Sequence, residues 1–141
     1  MRYVIDASVA VKWLLPEDHT EEAESLLADG ITLLAPDLIF AEVGNVLWKR
    51  VSGKELKQEG GREALSRLLE IDILVTPASL LLDRAFQLAC EYRRTVYDSV
   101  YVALAMQEDA RLVTADKRFY NATLRTPLAE NVAWIGSFAA T

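Results

Sequence analysis

Four acidic residues stand at places in this chain where a carboxylate can do chemistry. Asp6 directly follows the short apolar run Tyr3-Val4-Ile5, and Asp116 follows the strand-like Leu112-Val113-Thr114 by two residues. In an open parallel sheet, ligands bind just beyond the carboxyl ends of strands. Asp98 opens a segment that is apolar nearly all round, from Val100 to Ala105. Each of these three positions also suits an aspartate that caps a helix or sits on its positive end, so capping alone accounts for any one of them. Glu42 is different. It lies mid-helix with Leu38 four residues before it and Val46 four residues after it, so its own row of the helix is apolar. A carboxylate there needs a partner or a cation. Asn45, three residues on, lies on a neighbouring part of the same face and is a candidate to hold Glu42 by a hydrogen bond.

Four carboxylates without His or Cys beside them would make an all-oxygen donor set, which suits Mg²⁺ or Mn²⁺ and disfavours zinc. The single His19 lies between Asp18 and Thr20 in a polar turn and reads as a surface residue. With one His, general acid-base chemistry by a histidine pair is impossible within one chain. Cys90 is also alone and reads as a buried or half-buried thiol in a helix.

The elements that must position these acids alternate along the chain. Strands are expected at residues 3–5, 32–35, 73–75, 111–114 and 132–135. Helices are expected from Ala7 to Pro16, 21–29, 37–51, from after the Gly60-Gly61 interruption to about Glu70, 79–92, 98–106 and 117–120, with a short extended piece at Thr95-Val96. Alternating strands and helices argue an α/β domain, a three-layer α/β/α sandwich around a mostly parallel sheet. The 141 residues fit one domain, 1–141, and a chain of that length buries roughly two thirds of its unfolded surface.

A hydrophobic fraction of 52% and a charged fraction of 26% are those of a globular protein rather than a disordered one. Asp6 and Lys12 interrupt the apolar start, no small-residue cleavage site follows, and no apolar stretch is long enough to span a bilayer, so a soluble, cytoplasmic protein with no membrane partner is expected. The net charge of −6 speaks against a broad nucleic-acid footprint. Cations bound by converging acids would soften that objection. So would the basic groups Lys49, Arg50, Lys54 and Lys57, Arg93-Arg94 and Lys117-Arg118.

The segments Val4-Ile5-Asp6-Ala7-Ser8, Glu42-Val43-Gly44-Asn45-Val46-Leu47, Tyr97-Asp98-Ser99-Val100-Tyr101-Val102-Ala103-Leu104-Ala105 and Leu112-Val113-Thr114-Ala115-Asp116 resemble, in order, the four acidic motifs of PIN domains. The resemblance covers nearly the whole chain. It is closest to the VapC-type toxin ribonucleases in Asp6-Ala7-Ser8-Val9-Ala10-Val11-Lys12-Trp13 and in Asn45-Val46-Leu47-Trp48-Lys49-Arg50. By that match Asp6, Glu42, Asp98 and Asp116 would bind Mg²⁺ or Mn²⁺. Ser8 and Thr114 would be supporting hydroxyls, able to orient a water or a phosphate oxygen. The resemblance further implies metal-dependent endoribonuclease activity leaving 5′-phosphate and 3′-hydroxyl ends, an RNA substrate, a homodimer and a small antitoxin partner. Trp13 and Trp48 are candidate interface anchors, with core packing as the alternative.

Two other readings compete. An aspartyl phosphatase or phosphotransferase of the haloacid dehalogenase type needs a second Asp two residues after the first, where this chain has Ser8. A non-catalytic PIN-like binding module would normally lack one or more of the acids, and all four are present.

Overall fold

The computed structural model describes residues 1–138; the last three residues of the expected 1–141 domain lie outside the described residues. Five strands, β1 (Arg2–Ile5), β2 (Thr32–Pro36), β3 (Ile73–Thr76), β4 (Arg111–Thr114) and β5 (Val132–Trp134), form one sheet in the order β3-β2-β1-β4-β5. Every pairing is parallel, with Val4 opposite both Leu34 and Leu112. The central strands read as unbroken apolar runs because helices cover both faces: Leu33 to Pro36 and Leu112 to Thr114 are all buried. Edge strand β3 leaves Leu74 and Val75 exposed.

On one face pack α1 (Ala7–Leu14), α2 (Thr20–Ser25), α3 (Leu38–Ser52) and α4 (Gln58–Glu70); α5 (Leu82–Tyr92) and α6 (Val96–Gln107) pack together, with α6 against β1, β2 and β4. The arrangement follows from the hand of the crossovers. Moving from β1 through β2 to β3 and then back across to β4 reverses direction, and right-handed connections place the two helix groups on opposite faces. This is the expected α/β/α sandwich. The reversal falls between β1 and β4, the place where such sheets open a crevice at their carboxyl ends. A short helix, α7 (Lys117–Thr123), follows β4. No helix among the described residues is long and apolar enough to cross a membrane.

Several boundaries differ from the sequence expectation for physical reasons. Gly60 and Gly61 do not interrupt a helix but lie in the first turn of α4. A Cβ on Gly60 would meet Leu56 Cδ1 at 2.9 Å, so the glycine lets Leu56 fold back over the helix start. Helix α2 stops at Ser25, and Gly30, at φ +87°, supplies the left-handed turn into β2. The expected 79–92 helix divides into a single 3₁₀ turn at Ala78–Leu80 and α5. Strand β5 ends at Trp134, and Ile135 begins a 3₁₀ turn. The extended piece at Thr95-Val96 reduces to Thr95, the N-cap of α6, which begins at Val96. Cys90 is exposed, not buried, because it lies on the outer face of α5 away from Ala85 and Leu88. His19 is half-buried rather than on the surface: its ring bonds to Glu22 and packs edge-on against Trp134 with centroids 5.7 Å apart.

Candidate active site

Asp6, Glu42, Asp98 and Asp116 line one cavity of about 190 Å³, together with Ser8, Tyr101 and the apolar Val46, Leu112 and Phe119. They arrive from four different elements. Asp6 ends β1 and caps α1, its Oδ1 accepting from Val9 N at 3.2 Å. Asp116 follows β4 and caps α7 through Phe119 N at 3.1 Å. The capping alternative therefore holds for both, and it is compatible with lining the cavity because each carboxylate has a second oxygen. Asp98 is different. Thr95 caps α6, accepting from Asp98 N at 3.0 Å, so Asp98 sits in the first turn without being the cap. Burial and the neighbouring Asp116 raise its pKa, against the lowering effects of Thr95 and Arg94.

Asp6 is the most constrained of the four. Ser8 Oγ donates to its Oδ1 and Thr114 Oγ1 to its Oδ2, each at 2.5 Å. The same two hydroxyls accept backbone N–H groups from the loop after β4: Ala115 N reaches Ser8 Oγ at 2.9 Å and Asp116 N reaches Thr114 Oγ1 at 3.1 Å. Both hydroxyl protons are thus committed to Asp6, and the pair ties Asp6 to the backbone that carries Asp116. Burial pushes the Asp6 carboxyl up to about 6; the bonds from Ser8, Thr114 and Val9 oppose that rise, and Asp116 adds to it.

Glu42 reaches the cavity from the middle of α3. Tyr101 on α6 donates its hydroxyl to Glu42 Oε1 at 2.5 Å. Asn45 makes no such bond: it is exposed, one turn along α3, and borders a neighbouring groove. Burial raises the Glu42 pKa and Asp98 raises it further, while the Tyr101 bond lowers it. Sequence reading treated Tyr101 only as an apolar member of α6. Its position three residues after Asp98, on the same helical face, was the available signal.

Helix α1 is held by contacts with α2, α3 and α4. Lys12, only 8% exposed, pairs with Glu17 at 3.2 Å, and Arg50 of α3 bonds the same carboxylate. Arg67 of α4 donates to the Leu14 carbonyl at 2.8 Å, satisfying the C-terminus of α1. Trp13 belongs to this packing, its indole N–H donating to Ala23 O at 2.7 Å. Trp48 is 61% exposed.

The donor set fits a hard divalent cation. Like charges face one another around a partly desolvated cavity, Asp116 acting on both Asp6 and Asp98 and Asp98 acting on Glu42. A cation would relieve both the repulsion and the desolvation. Among the described residues no three His, Cys, Asp or Glu side chains close into a ready-made cation cage. The acids line a shared pocket rather than a preset coordination shell.

Comparison with known proteins shows the family and the fold of this chain. The sequence model described as PIN domain matches residues 3–123. Ribonuclease VapC3 of Pyrobaculum aerophilum is 34% identical over 120 residues, covering 84% of this chain and 92% of that protein. Ribonuclease VapC1 of Mycobacterium tuberculosis is 35% identical over 117 residues, covering 82% and 86%. The fold matches VapBC2 from Rickettsia felis bound to a promoter DNA fragment, with a TM-score of 0.68, 19% identity and coverage of 95% of this chain and 98% of that one. It also matches a toxin-antitoxin complex from Klebsiella pneumoniae, with a TM-score of 0.60, 16% identity and coverage of 93% and 95%. The chain belongs to the PIN-domain family, among its VapC-type members.

Proposed function

We propose that this chain is a divalent-metal-dependent endoribonuclease of the VapC toxin type, with residues 1–141 acting as one nuclease domain and Asp6, Glu42, Asp98 and Asp116 holding Mg²⁺ or Mn²⁺. The observation that carries this reading is the meeting of four carboxylates from β1, α3, α6 and the end of β4 in one cavity at the reversal point of the sheet. When bound there, a divalent cation activates water and neutralises charge that develops on a scissile phosphate.

The chain's own residues prepare that site. Ser8 and Thr114 fix both oxygens of Asp6 and register it against the Asp116 backbone. Tyr101 orients Glu42. Thr95 takes over the capping of α6, which leaves the Asp98 carboxylate available to the cavity. Leu112 and Phe119 form an apolar wall that keeps the local dielectric low and strengthens the carboxylate–cation attraction.

Partners follow the same reading. Relatives of this fold occur in complexes of toxin with antitoxin. Here a groove of about 420 Å³ runs between Gly44, Leu47, Trp48 and Val51 of α3 and Gly61, Arg62 and Leu65 of α4. Beyond the helix's own backbone, no atom of the described residues lies within 4 Å of the place a Gly44 Cβ would occupy, so the glycine opens the groove rather than serving internal packing. We assign this face to a small antitoxin. Leu82 and Phe86, four residues apart on the exposed side of α5, suit contact with a second copy of the chain in a homodimer.

The test is incubation of the purified protein with a pool of structured RNAs, with Mn²⁺ or Mg²⁺ and with EDTA. Cleavage that needs the cation supports the reading. Equal cleavage in EDTA overturns it.

A further inference from the structure

We propose that Tyr101 is a positioning residue that keeps Glu42 turned into the acid cavity and thereby sets the affinity of the site for a divalent cation. The inference rests on the metal-site reading above and assigns a role to a side chain outside the four acids.

Glu42 stands on a ridge. Its side chain borders the acid cavity on one side and, on the other, a separate groove shared with Ala41, Asn45, Lys49 and Tyr97. That groove offers the carboxylate an alternative, solvent-facing position. Asp6 is bound at both oxygens, whereas among the hydrogen bonds of the described residues the Glu42 carboxylate has one, from Tyr101. A single donor therefore decides which side of the ridge the carboxylate takes.

Tyr101 is built for that role. It is 3% exposed and rises from α6, whose residues from Ser99 to Ala105 are all buried, so the donor is anchored in the core. Its hydroxyl crosses to α3 and occupies Oε1, leaving Oε2 with no donor among the described residues. A phenol is protonated at neutral pH, so the hydroxyl acts here as the donor and the carboxylate as the acceptor. Groups that orient a metal-binding side chain in this way commonly change metal affinity by roughly 10- to 100-fold when removed.

The experiment is a Mn²⁺ titration followed by electron paramagnetic resonance on the full chain: wild type, Tyr101→Phe, Glu42→Gln and the double variant. The phenyl ring retains the core packing, and circular dichroism and the melting temperature in EDTA establish that each variant is folded. Tyr101→Phe is expected to bind Mn²⁺ about tenfold more weakly than wild type. The double variant should bind no more weakly than Glu42→Gln alone, because Tyr101 acts only through Glu42. A purely structural role of Tyr101 would weaken Mn²⁺ binding in the Glu42→Gln background as well, so the double variant separates the two. Should Tyr101→Phe fail to fold, Tyr101→Leu supplies the same comparison, since it also removes the hydroxyl donor and keeps the buried position apolar. Affinity within twofold of wild type in Tyr101→Phe, or losses that multiply in the double variant, would overturn the role of Tyr101 and leave the metal site standing. Wild-type protein that binds no Mn²⁺ would overturn the metal-site reading and this inference with it.

Discussion

Raising the pH of the metal-free protein from 4 to 7 should lower its stability through Asp6. The carboxyl is raised from 3.8 to about 6 in the folded state, chiefly by burial. The unfolded chain is therefore the stronger acid at this position. The stability tied to Asp6 is fully present below about pH 4 and is lost as the pH rises through about 6. A displacement of about two pH units corresponds to about 3 kcal/mol, of which about 2 kcal/mol falls between pH 4 and 7. For a domain of this length that is a fall of about 6 to 10 °C in melting temperature. Glu42 and Asp98 are displaced in the same direction and add to the trend.

The assay is urea unfolding of wild type and Asp6→Asn in EDTA across this range. Asparagine retains the cap on Val9 N while removing the charge. Taking the difference between the two proteins cancels titration elsewhere. The variant should gain on wild type by about 2 kcal/mol between pH 4 and 7. At pH 7.5 Mn²⁺ at a hundredfold excess over its Kd should stabilise wild type by about 2.7 kcal/mol, offsetting most of that gap. A difference that stays flat with pH, or moves in favour of wild type, would refute the claim that Asp6 is held charged at a cost which a cation relieves.

Other outcomes follow from single contacts. Asp98→Asn should abolish RNA cleavage, read on a gel, with an unchanged circular dichroism spectrum, because Thr95 and not Asp98 caps α6. Thr114→Val should cost about 1 to 3 kcal/mol by urea unfolding, since it strands the Asp116 N–H and one oxygen of Asp6. Phe86→Glu, at a side chain 61% exposed, should convert the expected dimer to monomer in sedimentation at micromolar concentration.

The order of strands and helices was legible in the sequence because the central strands are continuous apolar runs and α6 is apolar all round. The acids were legible for the same reason: strand ends and an apolar helical row are places where a carboxylate draws notice. What escaped were contacts between elements far apart in the chain. Tyr101 meets Glu42 across 59 residues, and Thr114 meets Asp6 across 108. No local periodicity encodes such pairs. The Ser8 and Thr114 hydroxyls were expected near a water or a phosphate; which way their protons point depends on the loop N–H groups of Ala115 and Asp116, and only the folded chain supplies those. Asn45 was read as a partner of Glu42 by helical spacing, yet a donor from another helix holds that carboxylate. Gly60-Gly61 was read as a break because glycine disfavours helix interiors, whereas the first turn of α4 tolerates it and Leu56 uses the space.

The central claim, a cation-dependent hydrolysis organised by Asp6, Glu42, Asp98 and Asp116, is tested most directly by mass spectrometry of the RNA fragments formed by wild-type protein with Mn²⁺ and with EDTA. In-line attack by water displaces the ribose 3′-oxygen, so the account expects 5′-phosphate and 3′-hydroxyl ends with Mn²⁺ and no product in EDTA. A cyclic phosphate end formed in EDTA would mean that the substrate's own 2′-hydroxyl is the nucleophile, and would contradict the account.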